Sequence, residues 1–207
     1  MMSFPDKSFV DIGSYADAYY NRLALATASI DRGALSKAAR LLGDGLKRDA
    51  QIFSCGNGGS ASIANHLLCD FAKGIQTDTP VKPRVVSLSS NVEILTAIAN
   101  DISYDDVFVY QLATQARPGD LLITISSSGD SENIIRALAH ARENDVTTIA
   151  LTGFSGGRSG KYADAHIHVS GDNYGVVEDA HQSVMHLLAQ YLRLSMMPKE
   201  VISQRKF

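Results

Sequence analysis

Short β-rich runs alternate with segments of helical periodicity over most of this 207-residue chain, and this alternation limits the fold more than any other feature. The β-rich runs lie at residues 51–55, 84–88, 121–125, 147–151 and 165–169. Helical segments follow at about 60–72, 92–99, 131–144 and 176–196. Strands that alternate with helices in this way form βαβ crossovers, whose strands are parallel. We therefore predict an α/β fold with a central parallel sheet and helices on both faces.

Two more helices are predicted before the first strand, within residues 12–48. Apolar residues recur at helical spacing in 15–30 and 35–47, with a polar break between the two segments. A parallel sheet does not need this pair, so its apolar stripe must face either another flank of this chain or a second subunit, and we expect subunit contacts. No repeat, low-complexity tract or linker interrupts the pattern, which predicts a single domain over residues 1–207.

Composition and charge narrow the range of partners. Hydrophobic residues make up 45% of the chain and charged residues 20%, and the formal net charge is −3 without any cluster of lysine and arginine. We therefore expect no direct nucleic-acid ligand. The first residues lack the pattern of a signal peptide, and no apolar stretch approaches ~18 residues, so we expect a cytoplasmic protein without a membrane partner. The two cysteines, Cys55 and Cys69, are expected to be free thiols.

Two strand-to-helix junctions are rich in glycine and serine. CGNGGS at 55–60 follows the first β-rich run, and SSSGDS at 126–131 follows the third. Parallel sheets bind ligands beyond the carboxyl ends of their strands, and a helix N-terminus there offers unpaired N–H groups to an anion. Neither junction matches a P-loop or a Rossmann fingerprint. Each alone could be a tight turn or a helix cap, but two at equivalent places favour a phosphate site.

Histidines and acids recur at helical spacing after the first junction and on the last helix. His66 and Asp70 are four residues apart, and Glu178, Gln182 and His186 continue the same spacing on the last helix. Residues at this spacing share one helix face. Two imidazoles and two carboxylates aimed at one point would suit a divalent metal, with Zn²⁺ favoured by the histidines. The alternative is that each pair forms only a salt bridge.

Together these motifs resemble the sugar isomerase (SIS) domain family of phosphosugar isomerases and phosphosugar-binding proteins. The resemblance rests on GNGGSA before a helix that carries a histidine, on SSSGDS before another helix, and on Asn100 and Asp101 after the second strand. Within the family, the motifs are most similar to those of the phosphoheptose isomerases, which interconvert sedoheptulose 7-phosphate and D-glycero-D-manno-heptose 7-phosphate. The resemblance implies a flavodoxin-like three-layer sandwich and a homotetramer with active sites at subunit interfaces.

The resemblance also assigns roles to individual residues. The catalytic acid/base pair falls on Asp70 and His186. The family's metal, usually zinc and one per active site, falls on His66, Asp70, Glu178 and His186. The contacts to substrate and phosphate fall on Asn57, Gly58, Gly59, Ser60, Asn100, Asp101, Ser126, Ser127, Ser128, Ser131 and Glu178. Asp70 stands where the family has glutamate and Glu178 where it has glutamine; both changes favour metal binding and leave the sugar open.

The implied activity is aldose–ketose isomerisation of a phosphorylated sugar through an enediol. Two alternatives stay open: an isomerase of a different sugar phosphate, and a non-catalytic SIS protein that senses a phosphosugar or binds a replication initiator protein. The presence of both histidines and both acids favours an enzyme.

Other polar residues are assigned structural roles. Cys69 is predicted to be a small buried apolar residue. His140, His166, His168 and His181 are predicted to serve packing or contacts, and residues 153–160, rich in glycine, to form a mobile surface loop such as a lid.

Overall fold

A computed structural model of the chain describes residues 3–207. Within this range the helices are α1 (Ile12–Ala28), α2 (Arg32–Lys47), α3 (Gly59–Cys69), α4 (Val92–Asp101), α5 (Val109–Gln115), α6 (Glu132–Glu143) and α7 (Tyr174–Met196). The strands are β1 (Gln51–Gly56), β2 (Arg84–Ser87), β3 (Leu121–Ser126), β4 (Thr147–Thr152) and β5 (Ala165–His168). A π-helical turn (Asp70–Ile75) continues α3, and 3₁₀ turns lie at Tyr104–Asp106, Ser159–Lys161 and Lys199–Gln204.

The five strands form one sheet in the order β2-β1-β3-β4-β5, and every neighbouring pair is parallel. This is the flavodoxin-like order, so the predicted fold class is confirmed. β1 and β3 are neighbours, yet α3 packs on one face of the sheet and α6 on the other. The chain therefore leaves these two strands in opposite directions and opens a crevice beyond their carboxyl ends.

The sheet lies between two hydrophobic cores. One core contains residues of α1, α2, α3 and α7, and the other contains residues of α4, α5 and α6. β3 is buried along its whole length, with Leu121 and Ile123 in the first core and Leu122 in the second. Burial on both faces explains why the strands read as nearly continuous apolar runs.

The two N-terminal helices differ in how much of their apolar surface this chain covers. α2 buries Leu35, Leu42 and Leu46 in the first core. α1 has one fully buried residue, Ala26, and leaves Leu25 65% exposed. The stripe of α2 thus has its partner within the chain, and the expectation of subunit contacts applies to the surface that α1 leaves open.

Two elements were not predicted. α5 is a short helix of two turns, and a helix of that length contains too few apolar positions to reveal its period. The helix predicted to reach residue 72 ends at Cys69 and continues as the π turn to Ile75. Of the helices in residues 3–207, none combines the length and hydropathy needed to cross a membrane.

Candidate active site

The two junction loops lie side by side at the crevice between β1 and β3. The amide of Asn57 in the first loop donates to Asn133 Oδ1 (2.9 Å), and the amide of Asn133 on α6 donates back to Asn57 Oδ1 (3.0 Å). The hydroxyl of Tyr104, from the 3₁₀ turn after α4, also donates to Asn57 Oδ1 (2.9 Å). These bonds tie the first loop to the first turns of α6, the helix that the second loop precedes.

The serine hydroxyl at the start of α6 does not cap that helix. Ser131 is the N-cap residue of α6 but makes no side-chain hydrogen bond to the amides that it would cap. Ser127 is 4% exposed, and its hydroxyl has no hydrogen-bond partner in the described part of the chain. A buried polar group without a partner costs about 1–3 kcal/mol. The second loop thus keeps a buried hydroxyl that has no hydrogen-bond partner within the described part of the chain.

Glu178 belongs to α7, and its carboxylate lies against Gly59 at the start of α3. A Cβ atom on Gly59 would collide with the Glu178 carboxylate, so the carboxylate occupies the space that glycine leaves open and would have to move if a side chain were added. Burial raises the pKa of Glu178, and the neighbouring charge of Asp179 adds to the shift. The structure therefore places Glu178 beside the crevice, whereas the other three residues of the predicted metal set meet elsewhere.

His66, Asp70 and His186 form a compact group between the end of α3 and the middle of α7, which we call the His–Asp group. The Nε2 atoms of the two histidines are 3.2 Å apart. Asp70 Oδ1 is 3.3 Å from His66 Nε2, and Asp70 Oδ2 is 3.5 Å from His186 Nε2. One candidate ligand atom from each residue lies within 4.8 Å of the others. The predicted i, i+4 pair is therefore not an isolated salt bridge.

The surroundings of the His–Asp group suit a bound cation. Asp70 begins the π turn, a distortion that is frequent at functional sites. Its Oδ2 atom is buried and accepts no hydrogen bond from any described residue. The side-chain amide of Gln182, one turn before His186, lies 2.9 Å from His186 Nε2. A carboxylate and two imidazole nitrogens that face one another can hold a divalent metal.

The crevice and the His–Asp group are separated along α3. His66 lies six residues beyond Ser60, which corresponds to about 9 Å along the helix axis, and Asp70 lies about 15 Å beyond it. A ligand held by the loops would have to be long, or would have to approach the His–Asp group of another subunit.

A cleft of about 330 Å³ opens beside the His–Asp group. Its lining residues include Cys69, Asp70, Lys73, His186, Arg193 and Lys206. Arg193 donates to the Lys206 carbonyl (3.1 Å) and pairs with Asp78 (3.1 Å), which holds the last residues of the chain at the cleft. Sequence reasoning missed this wall because only tertiary contacts bring residues 78, 193 and 206 together.

The remaining predicted residues have the following positions. Asn100 and Asp101 are exposed at the end of α4, where the Asn100 amide donates to Asp101 Oδ1 (2.7 Å) and not to either loop. Cys69 is exposed, so its predicted burial is wrong; the buried stripe of this helix passes through Ile63 and Leu67 instead. Cys55 is buried, which raises the pKa of its thiol, and both cysteines are free as expected.

Known proteins resemble this chain in sequence. The family model of the SIS domain matches residues 14–153. The phosphoheptose isomerase of Mycobacterium tuberculosis is 37% identical over 180 residues, which are 85% of this chain and 91% of that protein. The chain belongs to the SIS domain family. The resemblance predicted from the glycine- and serine-rich loops is thereby confirmed.

Solved SIS structures extend the match to three dimensions. The phosphoheptose isomerase of Neisseria gonorrhoeae has a TM-score of 0.80 and 30% identity and covers 88% of this chain and 98% of its own. The phosphoheptose isomerase of Francisella tularensis has a TM-score of 0.81 and 28% identity, and the match covers 88% of this chain and 96% of that protein. The likeness in fold thus extends over 88% of the chain.

Proposed function

We propose that this SIS domain protein is a phosphosugar isomerase that interconverts sedoheptulose 7-phosphate and D-glycero-D-manno-heptose 7-phosphate. The observation that carries the proposal is the His–Asp group, in which two histidines and an acid meet within 4.8 Å. A non-catalytic phosphosugar-binding protein would not need this group. Relatives named phosphoheptose isomerase at 37% identity support the choice of substrate.

In this proposal the crevice holds the phosphate. The backbone amides of residues 57–60 and the hydroxyls of Ser126, Ser127, Ser128 and Ser131 are its neutral donors. Because α3 and α6 both begin at the crevice, their dipoles also favour a negative group there. The buried, unpartnered hydroxyl of Ser127 is the strongest support, since a phosphate oxygen would give it the partner it lacks.

The His–Asp group performs the proton transfers. For the ketose, a base removes a proton from C1, a cis-enediol forms, and the proton returns at C2, while a hydroxyl proton moves from O1 to O2. We assign these two transfers to Asp70 and His186, whose side chains lie 3.5 Å apart at their closest polar atoms. His66 lies next to both and orients them.

The donor atoms of this group fit a zinc ion. Imidazole nitrogens and a carboxylate oxygen are usual ligands of Zn²⁺. One such atom from each of the three residues lies within 4.8 Å of the others, and the two histidine Nε2 atoms are 3.2 Å apart. We propose that His66, Asp70 and His186 would hold one Zn²⁺, with Glu178 as a fourth ligand only after moving from Gly59. Asp70 and His186 would then make the proton transfers through the carboxylate oxygen and the ring nitrogen that the ion leaves free. The ion would polarise the substrate carbonyl.

We further propose a homotetramer whose active sites lie at subunit interfaces. Two observations support it: the distance along α3 between the crevice and the His–Asp group, and an apolar groove of about 910 Å³ between α1, α2 and α7. Leu187 and Tyr191, on the same helix as His186, are about half exposed at this groove. A second copy of the chain would cover them.

A second candidate is an isomerase of a different sugar phosphate. Asp70 is one methylene shorter than the glutamate of the family motif, so the reacting carbon must lie closer to the helix or a different sugar must bind. Both candidates share the loops and the His–Asp group and differ only in the sugar.

A turnover assay tests the proposal directly. Purified protein, either loaded with zinc or treated with a chelator, is incubated with a panel of ketose phosphates, and aldose formation is followed by NMR. We expect conversion of sedoheptulose 7-phosphate, faster in the zinc-loaded protein. Asp70→Ala and His186→Ala should each lower kcat by about 100-fold or more with little change in KM.

Matched controls are available outside the site. His140→Ala and Glu143→Ala on α6 remove a half-exposed histidine and an exposed acid that lie outside the site and the groove, and they should keep wild-type turnover. Normal turnover by both Asp70→Ala and His186→Ala would contradict the assignment. Turnover of another ketose phosphate alone would select the second candidate.

A further inference from the structure

An arginine from the glycine-rich loop at 153–160 is bound to the serine loop. Arg158 Nε lies 2.5 Å from Asp130 Oδ1, and its Nη2 atom donates to the Asp130 carbonyl (3.1 Å) and to Glu132 Oε2 (3.0 Å). The backbone N–H of Arg158 adds a longer bond to Asp130 (3.3 Å). Asp130 is the acid of the motif SSSGDS, so this arginine is attached to the proposed phosphate site itself.

The rest of the glycine-rich loop is fixed against the same place. The backbone N–H and the hydroxyl of Ser159 both donate to the Gly129 carbonyl (2.9 and 2.7 Å). Gly157 lies so close to Gly129 that a Cβ atom there would collide with its backbone. The segment predicted as a mobile lid is therefore anchored to the serine loop, with Arg158 at its tip.

The negative charge of Asp130 opposes the binding of phosphate at the serine loop. A carboxylate in the loop repels a phosphate dianion, and Glu132 in the first turn of α6 adds a second negative charge. The hydrogen bond from Arg158 holds the pKa of Asp130 below its usual value, so the acid stays ionised at neutral pH. Arg136 does not neutralise the negative charge of the loop, because its one positive charge is shared among Asp105, Asp106 and Glu132.

We propose that Arg158 is a positioning and specificity residue that neutralises Asp130, and thereby allows the serine loop to bind a phosphorylated ligand. The proposal rests on the phosphate-binding part of the proposed function and does not depend on catalysis. In this proposal Arg158 pairs with Asp130 and does not bind the phosphate itself, because the guanidinium of Arg158 is already bound by Asp130 and Glu132. A directly phosphate-binding arginine would give the opposite result in a double mutant.

A double-mutant cycle separates the two roles. Binding of inorganic phosphate and of sedoheptulose 7-phosphate is measured by calorimetry for the wild type, Arg158→Met, Asp130→Asn and the double variant. We expect Arg158→Met to weaken both ligands about 10-fold, and more at low salt, because the negative charges are unmasked. Asp130→Asn should bind at least as tightly as the wild type, and the double variant should return to within about 2-fold of it.

Two further variants serve as controls. Arg158→Lys keeps the charge and should retain most of the affinity. Arg142→Met removes an exposed arginine that contacts the same loop only through the Lys161 carbonyl, and it should bind phosphate normally. If Arg158→Met does not fold, the phosphate affinity of Asp130→Asn alone tests the proposal. Weaker binding by Asp130→Asn than by the wild type overturns it.

The outcomes distinguish this inference from the proposed function. A double variant as weak as Arg158→Met, or an Arg158→Met variant with unchanged affinity, overturns the inference even if the protein is an isomerase. Phosphate binding that follows the expected cycle in a protein without isomerase turnover sustains the inference and overturns the proposed function. In an active enzyme, KM should rise in Arg158→Met while kcat stays nearly unchanged.

Discussion

Ser127 shows how one residue can be unfavourable for folding and favourable for binding. Its hydroxyl is buried at the end of β3 without a partner, next to Ser126 and Ser128, whose hydroxyls accept loop N–H groups. A satisfied hydroxyl would stabilise the loop, whereas an unsatisfied one costs free energy until a ligand arrives. Such a residue is expected where binding depends on a donor that is already in place.

Ser127→Ala should therefore change stability and affinity in opposite directions. The free energy of unfolding should stay equal or rise by up to about 1 kcal/mol, because an unpaired polar group is removed. Affinity for inorganic phosphate should fall about 10-fold. Thermal denaturation and calorimetry measure the two effects.

Ser159→Ala is the matched control for that experiment. Its hydroxyl is buried and bonded to the Gly129 carbonyl, so its removal should lower stability. A Ser127→Ala variant that is clearly less stable, with unchanged phosphate affinity, would show that the hydroxyl has a structural role.

At the level of elements, α7 carries two different histidines on two faces. His186 faces outward in the His–Asp group, and His181, five residues earlier, is fully buried against the sheet. Burial lowers the pKa of His181 to about 4; the Thr152 backbone opposes this shift and His168 adds to it. Neither ring nitrogen makes a well-formed hydrogen bond with a described residue, which agrees with the predicted packing role.

This buried imidazole predicts acid sensitivity. In the unfolded chain it takes up a proton near pH 6.5, but in the folded protein only near pH 4, so stability is full above pH 6.5 and is lost progressively as the pH falls toward 4. The loss should reach at most about 3 kcal/mol. His166 and His168 have lowered pKa values through burial and act in the same direction.

Urea denaturation between pH 4 and 7, with chelator present to remove metal effects, measures this loss. His181→Leu should flatten the pH dependence of the unfolding free energy while keeping stability at pH 7. An unchanged slope in the variant would assign acid sensitivity to other groups.

At the level of the whole molecule, the surface formed by α1, α2 and α7 remains apolar. Its groove is lined by apolar residues that include Ala24, Leu35, Leu187, Leu188, Tyr191 and Leu192. The proposed assembly places a second copy of the chain on this surface, and His186 lies on the same helix as Leu187 and Tyr191. Assembly and activity should therefore depend on each other.

Leu187→Asp and Tyr191→Asp should weaken self-association by about 30-fold or more, since each places a charge in an apolar interface. Analytical ultracentrifugation should show smaller species, and isomerase turnover should fall with them. Tyr110→Asp is the control, because Tyr110 is also about half exposed but lies on α5, on the opposite face of the sheet. Unchanged sedimentation in both groove variants would contradict the proposed assembly.

Much of the fold and part of the site could be predicted from local patterns. The five strands and the parallel sheet follow from the alternation of strands and helices, whereas the flavodoxin-like arrangement was implied only by the family resemblance. The His66–Asp70 pair follows from helical spacing. α5 was missed because it is short. The predicted burial of Cys69 was wrong because the buried face of α3 contains Ile63 and Leu67 and leaves Cys69 exposed. Glu178 was expected with the metal ligands but lies against Gly59.

The sequence by itself determined the five strands, all the α-helices except α5, the two loops at the carboxyl edge and the family, because these depend on periodicity and on residues that are neighbours in the chain. Only the tertiary structure decided which side chains meet. His186 joins His66 across 120 positions, and Arg158 reaches Asp130 across 28. The reason is that such contacts depend on how helices and loops pack on the sheet, and packing is set by the whole core and by no single segment.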